Sequence, residues 1–191
     1  MICRLFFALV AIGLLSACAP QGGVLVSEGA EPVGGNLFVE TSATGDQFLV
    51  LDGEITSRTS FAFLSILEQA EVDGLVIAQS PGGDLLAAHQ IGRAIKQNSI
   101  NTIVLVNCIS ACVDIFIAGQ VREMTDIAEL GLHSATNRDF AYELDRKYWG
   151  SLGFARVNEL AYTVPNDKLW VLDAVRAREL RLATNIIRRP S

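Results

Sequence analysis

The fold of this chain is decided by residues 74–97, which read GLVIAQSPGGDLLAAHQIGRAIKQ. Residues 74–78 are almost wholly apolar and predict a strand that is buried on both faces. The Ser-Pro-Gly-Gly motif at 80–83 predicts a turn, because proline and glycine interrupt regular structure. Residues 85–97 then repeat apolar side chains at helical spacing, directly after Asp84, a residue type that favours helix starts. A strand, a turn and a helix in this order form the repeating unit of parallel α/β domains.

Similar elements precede and follow this unit. Each short apolar run predicts a strand, and each amphipathic stretch between runs predicts a helix. The further predicted strands are 47–51, 102–106 and 129–133. The further predicted helices are 56–71, 110–118, 138–163, which is interrupted near Gly150 and Gly153, and 169–182. Strands that alternate with helices indicate a single α/β domain with largely parallel strands. We assign this domain to residues 47–187, with residues 188–191 as a C-terminal tail.

The composition fits one compact acidic domain. Of the 191 residues, 50% are hydrophobic, which is enough to build a substantial core. The formal net charge of −6 argues against nucleic acid as a partner, because a phosphate backbone attracts basic surfaces. We therefore expect no function in nucleic-acid binding.

The N-terminus has the pattern of an export signal. Arg4 precedes an apolar stretch at 5–15, which is shorter than the roughly 20 residues needed to cross a bilayer. The Leu-Ser-Ala-Cys that follows at 15–18 resembles the lipobox of bacterial lipoproteins. Residues 1–17 are therefore expected to be removed as a signal peptide, and Cys18 is expected to carry the lipid. The alternative is an ordinary signal peptide that is cleaved near the same point.

Lipidation would attach the protein to a membrane of the bacterial cell envelope, facing the periplasm. Ala19 follows the cysteine in place of the aspartate that would indicate inner-membrane retention, so the outer membrane is favoured. Residues 18–46 are rich in Gly, Ser, Pro and Glu and have weak periodicity. This composition predicts a lipidated N-terminus followed by a flexible tether.

Two cysteines, Cys108 and Cys112, remain in the predicted domain. Two thiols at this spacing in an oxidising compartment can form a disulfide, and two free buried thiols are the alternative. A zinc site is not expected, because these cysteines and the two histidines lack metal-like spacing. His89 is interpreted as a partly exposed helix residue. We expect no metal and no other cofactor.

Ser110 lies between these cysteines, where a predicted strand gives way to a helix. Its hydroxyl would be displayed at a strand end, and the N–H of Ala111 would lack a partner within the helix. Gly82 or Gly83 offers a second free donor, and His133 can act as a base at the end of another strand. A nucleophile, a base and donors for an oxyanion are the parts needed for acyl transfer. The alternative role for Ser110 is a helix N-cap.

The order of these motifs resembles the Clp protease proteolytic subunit and the wider Clp-protease/crotonase superfamily, which includes signal peptide peptidases. The resemblance spans most of the predicted domain and rests on Ser-Pro-Gly-Gly-Asp, Ser-Ala and Leu-His in that order. It implies a repeated ββα spiral, with Ser110 as the nucleophile and His133 as the base. It also implies that Ala111 and Gly82 form the oxyanion hole, with Gly83 as the less favoured donor.

The resemblance also implies a third catalytic residue. The family places an acidic residue before the last helix, and Asp167 occupies the comparable position in this chain. By this resemblance Asp167 orients His133. The alternatives are that Asp167 caps the last helix and that Asp173 is the third residue.

These features together predict an envelope-anchored serine hydrolase of peptidase type, which acts on peptides or unfolded segments. No ATP-driven unfoldase is expected as a partner in the envelope, and a homo-oligomer is possible because the family forms rings. Two alternatives remain. One is a crotonase-like enzyme that acts on an acyl-CoA, although export would separate it from the CoA pool. The other is a non-catalytic lipoprotein that uses the same fold as a binding or scaffolding surface.

Overall fold

The computed structural model describes residues 26–27, 29–42 and 45–188. The predicted signal peptide, residues 1–17, and the predicted lipidation site, Cys18, lie outside these residues. The described part of the chain folds as six helices around one nine-stranded sheet.

Strands and helices alternate along most of the chain. The strands are β1 (Glu31–Gly34), β2 (Leu37–Thr41), β3 (Gln47–Asp52), β4 (Gly74–Ser80), β5 (Asn101–Ile109), β6 (Arg122–Thr125), β7 (Glu129–Leu132), β8 (Trp170–Asp173) and β9 (Asn185–Ile187). The helices are α1 (Ser57–Leu67), α2 (Leu85–Asn98), α3 (Ala111–Ile117), α4 (Arg138–Ser151), α5 (Ala155–Ala161) and α6 (Ala174–Glu179).

The sheet runs in the order β1-β2-β3-β4-β5-β6-β9, and β7 and β8 branch from β5. The pairs β3–β4, β4–β5, β5–β6, β5–β7 and β6–β9 are parallel. The pairs β1–β2, β2–β3 and β7–β8 are antiparallel. The prediction of a single α/β domain with largely parallel strands is therefore confirmed.

Strand β5 pairs with two different strands in succession. Its residues 102–104 lie beside β6, and its residues 107–109 lie beside β7. The other edge of β5 stays paired with β4 as far as Cys108, which lies beside Ser80. Ser110 follows directly after β5, and His133 follows directly after β7, so the two residues lie at the ends of adjacent parallel strands.

Helix α2 packs between α1 and α3. Ile91 on its apolar face is buried in the core together with Phe63 of α1 and Phe116 of α3. The Asp84 carboxylate accepts hydrogen bonds from two backbone N–H groups of the first turn of α2. This cap starts the helix immediately after the glycine turn, as the sequence predicts.

Residues 31–41 correct the prediction of a flexible tether over residues 18–46. They form β1 and β2, a hairpin that extends the sheet antiparallel to β3. Leu37 is only 2% exposed and pairs with Leu51, so the hairpin contributes to the core. Both turn residues, at 35–36, have positive φ, which is typical of a tight hairpin turn.

Residues 169–182 correct the prediction of one continuous last helix. The first part forms β8, and only α6 is helical. Leu172 is buried opposite Leu130 of β7, whereas Val171 is exposed, and this alternation suits a strand. Pairing with β7 therefore overrides the helical tendency of the segment. The strands β6 and β9 are also absent from the sequence-based prediction.

None of the helices in residues 26–27, 29–42 and 45–188 combines the length and the apolar character needed to cross a bilayer.

Candidate active site

Ser110 adopts a backbone conformation that is rare for a residue with a side chain. Its φ is 56° and its ψ is −130°, at the junction of β5 and α3. The Ser110 N–H donates to the Gly131 carbonyl at 2.8 Å, and the Ser110 carbonyl accepts from the Val113 N–H at 2.9 Å. Such strain is found at functional sites, and a sharp strand-to-helix turn exposes the hydroxyl of a nucleophilic serine.

The alternative role of Ser110 as a helix cap is wrong. Ser110 occupies the N-cap position of α3, but its side chain makes no capping hydrogen bond. Its hydroxyl is therefore free for another role, and Ser110 lines a cavity of about 360 Å³.

A disulfide joins Cys108 to Cys112, with their Cα atoms 5.3 Å apart. The prediction of this bond is confirmed. Cys108 lies in β5 and Cys112 in α3, and both are buried. The bond therefore spans the strand-to-helix turn, with one cysteine on each side of Ser110.

Gly82 packs against the turn that carries Ser110. Its φ is +92°, and a Cβ at this position would lie 2.6 Å from the carbonyl oxygen of Ile109. The Gly82 N–H donates to the Ser80 hydroxyl at 3.2 Å, and the Gly82 carbonyl accepts from the Ile55 N–H at 2.8 Å. Both backbone polar groups of Gly82 are therefore engaged within the turn.

Gly83 is placed differently. Gly83 lies opposite Ile55 in an isolated parallel β-bridge. The two hydrogen bonds of this bridge are made by the residues on either side of Gly83: the Ile55 N–H donates to the Gly82 carbonyl, and the Asp84 N–H donates to the Ile55 carbonyl. Within the described residues, the Gly83 N–H makes no hydrogen bond. Gly83 also lines the cavity, together with Ala111. Because Ala111 is the first residue of α3, its N–H has no partner within the helix.

His133 lines the same cavity as Ser110. Its Nδ1 atom lies 2.9 Å from the carbonyl oxygen of Ser134, and Asn166 Nδ2 lies 3.1 Å from Nδ1. Asn166 also donates to the Ser134 carbonyl at 2.8 Å. The Ser134 carbonyl oxygen only accepts and the Asn166 amide nitrogen only donates, so these two contacts call for opposite tautomers. The shorter contact, with Ser134, assigns the ring hydrogen to Nδ1 and leaves a lone pair on Nε2.

The structure corrects the assignment of Asp167 as the residue that orients His133. The Asp167 side chain is 78% exposed, and its nearest charged partner is Lys168, at 4.0 Å. Lys168 N–H donates to the Pro165 carbonyl, which forms a tight turn. This turn directs Asn166 toward His133 and Asp167 toward solvent. The alternative residue, Asp173, caps α6 by accepting from the Arg176 N–H at 2.7 Å.

The cavity has a half-exposed apolar mouth and a buried polar floor. Leu86 and Phe140 at the mouth are more than half exposed. The floor consists of buried polar and aromatic side chains that the sequence analysis did not assign to the site: Asp114, Asp145, Trp149, Asn158 and Tyr162. A mouth of this kind can hold apolar parts of a ligand, whereas the floor favours a polar or charged group.

The floor carries two buried carboxylates, those of Asp114 and Asp145. Burial, and next the Asp145 carboxylate, raises the pKa of Asp114 well above its ordinary value, although a hydrogen bond from Trp149 opposes this shift. Burial and the hydrogen bond to Asp145 raise the pKa of the Tyr162 hydroxyl. Tyr162 therefore stays protonated and donates to Asp145.

His89 is buried behind this floor, which corrects its interpretation as a partly exposed helix residue. It is 1% exposed and stacks on Tyr148, with ring centroids 4.1 Å apart. His89, Asp114 and Asp145 come from three different helices. Their spacing along the chain has no recognisable pattern, so only the packing of the helices reveals the cluster.

A scan against protein-family models finds no match, and no curated protein matches the chain. Several solved structures are similar. A serine-to-alanine mutant of the 1510-N membrane-bound stomatin-specific protease has a TM-score of 0.55 and 21% identity, and the match covers 72% of this chain and 77% of that chain. A lysine-to-alanine mutant of the same protease, in complex with a substrate peptide, has a TM-score of 0.54 and 21% identity, with coverage of 72% and 73%.

ClpP1 from Listeria monocytogenes has a TM-score of 0.59 and 17% identity, and the match covers 74% of this chain and 91% of that chain. At these identities the likeness concerns the fold. The mixed α/β sheet with mostly parallel strands agrees with it. The chain therefore has a Clp-protease-like fold.

Proposed function

We propose that this protein is a serine hydrolase of peptidase type, with Ser110 as the nucleophile and His133 as the general base. The observation that carries this proposal is the strained φ of Ser110, whose hydroxyl makes no capping bond and lines the same cavity as His133. Strain of this kind persists only where the surroundings enforce it. Here the Gly131 carbonyl, the Gly82 contact and the Cys108–Cys112 disulfide enforce it.

The proposed reaction is acyl transfer in two steps. The Ser110 Oγ attacks the carbonyl carbon of the scissile bond while its proton passes to Nε2 of His133. The protonated imidazole then gives this proton to the leaving amine, and the C–N bond breaks. Water attacks the resulting ester by the same route, which releases the acid and restores the Ser110 hydroxyl. The Ser134 carbonyl holds the Nδ1–H throughout, and Asn166 braces that carbonyl.

The developing oxyanion needs two hydrogen-bond donors. We assign the N–H groups of Ala111 and Gly83 to this role. The N–H of Gly82, the donor favoured by the family resemblance, is engaged by Ser80. Gly82 instead supplies the space into which the Ser110 turn packs.

A peptide or an unfolded segment is the proposed substrate. The cavity is open at its apolar mouth, where an extended chain can reach Ser110. The similar 1510-N protease is described in complex with a substrate peptide, which supports this choice. No ATPase partner is needed for a substrate that is already unfolded.

The proposed location is the bacterial cell envelope, with a lipid on Cys18 and the domain facing the periplasm from the outer membrane. Two observations support it: the lipobox-like Leu-Ser-Ala-Cys at 15–18 and the Cys108–Cys112 disulfide. Disulfides persist in oxidising compartments, such as the periplasm, and are rare in the cytosol.

Labelling with a fluorophosphonate probe tests the proposed nucleophile. The folded wild-type protein should be labelled, and Ser110→Ala should not be labelled. Ser57→Ala is the matched control, because Ser57 lies at the exposed start of α1, away from the cavity. Equal labelling of wild type and Ser110→Ala, or no labelling of the folded wild type, would contradict the hydrolase and favour a non-catalytic binding protein.

A further inference from the structure

Three side chains with metal-ligating atoms meet at the closed end of the Ser110 cavity. His89 comes from α2, Asp114 from α3 and Asp145 from α4, and they are 1%, 4% and 6% exposed. One ligand atom from each lies within 4.8 Å of the other two. The acyl-transfer chemistry proposed above uses none of them.

The contact between His89 and Asp145 has the distance of a hydrogen bond without its direction. Nε2 of His89 lies 3.0 Å from Oδ1 of Asp145 and 4.0 Å from Oδ2 of Asp114. Even so, neither ring nitrogen of His89 nor Oδ1 of Asp145 has a hydrogen-bond partner within the described residues. The contact therefore lacks the alignment of a good hydrogen bond.

A shared cation would account for both the distance and the direction. Two ligand atoms that each lie about 2.1 Å from one metal ion are about 3.0 Å apart at a right angle and about 3.4 Å apart at the tetrahedral angle, and their lone pairs point at the ion rather than at each other. The two His89 separations, 3.0 Å and 4.0 Å, fall within the span of about 4.2 Å that two such ligands allow. The two carboxylates, whose oxygens lie within 4.8 Å of each other, would need only a small side-chain shift to share the ion.

One oxygen of each carboxylate accepts a hydrogen bond from a donor outside the cluster. The Trp149 Nε1–H donates to Oδ1 of Asp114, and the Tyr162 hydroxyl donates to Oδ2 of Asp145. The oxygens that face His89 are therefore the free ones. Outer hydrogen bonds of this kind orient metal-ligating carboxylates in proteins.

The charge of the cluster favours a divalent ion. Two carboxylates are withdrawn from water beside a single imidazole, and buried carboxylates are costly without compensation. The guanidinium groups of Arg93 and Arg138 lie over the neighbouring rings of Tyr148 and Tyr162, at 5.9 Å and 5.7 Å from the centroids. A cation with two positive charges among the three ligands would balance both carboxylates directly.

The cluster is open to the cavity on one side. Asp114 and Asp145 line the cavity, and so does Asn158, whose buried Nδ2 has no hydrogen-bond partner within the described residues. An ion could enter by this route, and its remaining ligands could be water molecules. The Asn158 amide is placed to donate to such a water.

We propose that His89, Asp114 and Asp145 bind one divalent transition-metal ion, Zn²⁺ or Mn²⁺. One imidazole suits Zn²⁺, two carboxylates suit Mn²⁺, and the mixed set disfavours Mg²⁺, which prefers oxygen ligands alone. Because α3 follows directly after Ser110, an ion at Asp114 would tie this helix to α2 and α4. This proposal does not depend on Ser110 being acylated.

Metal binding by the purified protein tests this inference directly. After treatment with a chelator and dialysis, the protein is titrated with Zn²⁺, Mn²⁺ and Mg²⁺ by calorimetry, and with Co²⁺ as a spectroscopic probe. The expected result is one equivalent of Zn²⁺ or Mn²⁺, negligible uptake of Mg²⁺, and visible Co²⁺ absorption bands. His89→Gln and Asp145→Asn should each abolish the Co²⁺ bands.

Three further variants keep the test decisive if a ligand variant fails to fold. Tyr162→Phe keeps all three ligands and removes only the outer hydrogen bond, so it should weaken metal binding by about 10–100-fold. Asp139→Asn, an exposed carboxylate on the same helix as Asp145, should bind like wild type. His133→Gln should also keep one equivalent, because His133 lies outside the cluster.

Three outcomes would overturn the proposal. The first is a folded, chelator-treated wild type that takes up no Zn²⁺ or Mn²⁺. The second is metal uptake that His89→Gln and Asp145→Asn leave unchanged. The third is binding of Nα-acetyl-arginine amide, added as a probe, that depends on Asp145 in a protein that takes up no metal. That result would assign the cluster to a basic substrate side chain instead.

Discussion

Gly82 and Ser110 are in such close contact that a Cβ placed on Gly82 would lie 2.9 Å from the Cβ of Ser110. The same Cβ would lie 2.6 Å from the backbone oxygen of Ile109, which cannot move without disturbing β5. The glycine turn and the nucleophile turn therefore form one packed unit, although Gly82 and Ser110 are 28 positions apart in the sequence.

Gly82→Ala should remove activity and reduce stability. The positive φ of 92° and the contact with Ile109 together predict a loss of about 1–3 kcal/mol in the free energy of unfolding. Fluorophosphonate labelling should fall below detection, because the Ser110 turn is displaced.

The matched control for Gly82 is Gly150→Ala in α4. A Cβ at Gly150 would meet no atom within 4 Å, and its φ is not positive. This variant should gain about 0.4–1 kcal/mol, because alanine restricts the unfolded chain. Chemical denaturation measures both variants, and a Gly82→Ala protein as stable and as reactive as wild type would contradict the packing argument.

Asn166→Ala should impair the reaction, whereas Asp167→Ala should not. Removing the Asn166 amide loses the hydrogen bond that braces the Ser134 carbonyl under Nδ1 of His133. A net hydrogen bond of about 1.4 kcal/mol corresponds to about tenfold in rate. The second-order rate constant of fluorophosphonate labelling should fall by that factor.

Asp167→Ala should change neither that rate constant nor the free energy of unfolding by more than about 0.5 kcal/mol, as expected for an exposed side chain. The reverse ranking of the two variants would restore the acidic residue as the partner of His133.

Reduction of the Cys108–Cys112 disulfide should destabilise the protein. The bond closes a very short loop, for which the loss of chain entropy in the unfolded state amounts to about 2 kcal/mol. The midpoint of urea unfolding should fall by the corresponding amount when reductant is present.

The double variant Cys108→Ala/Cys112→Ala is the control for this measurement and should show no dependence on reductant. Alkylation of both Cys108 and Cys112 in the unfolded but unreduced wild type, read out by peptide mass spectrometry, would rule out the bond. Labelling of the double variant should also be slower, because Ser110 would hold its strained φ less firmly.

Leu37→Ala should be strongly destabilising if the β1–β2 hairpin belongs to the core. Loss of a buried leucine side chain costs about 2–5 kcal/mol, and Leu37 is 2% exposed. Val33 in β1 is 37% exposed, so Val33→Ala should cost less than about 0.5 kcal/mol. Thermal unfolding of both variants measures this difference. A Leu37→Ala protein as stable as wild type would indicate that residues 31–41 do not belong to the core.

Cys18→Ser should release the protein from the membrane fraction of a bacterial host. The proposed lipid anchors the chain through buried methylene groups, and a single serine hydroxyl cannot replace them. Incorporation of labelled palmitate should occur in wild type and be lost in the variant. Palmitate in both proteins, or in neither, would speak against lipidation at this cysteine.

The sequence could predict the elements whose signal is local. The apolar run at 74–78, the Gly-Gly turn and the periodic helix after it all form as expected, because buried parallel strands and capped helices leave strong local patterns. Ser110 was also identifiable, since the junction of a strand and a helix is visible in the chain.

The parts that could not be predicted depend on long-range packing. Strand β8 forms because Leu172 meets Leu130 of β7, which no local window contains. Neighbouring residues 166 and 167 face opposite ways only because of the turn at Pro165. The cluster of His89, Asp114 and Asp145 forms where three helices meet, so the spacing of these residues along the chain does not predict it.

The change of partner along β5 has a mechanical consequence for the site. Residues 107–109 pair with β7, the Gly131 carbonyl of β7 accepts from the Ser110 N–H, and His133 lies two residues after Gly131. Nucleophile and base therefore follow two strands that are hydrogen-bonded directly to each other. A shift of either strand is passed to the other through these bonds, which favours a constant separation between Ser110 and His133.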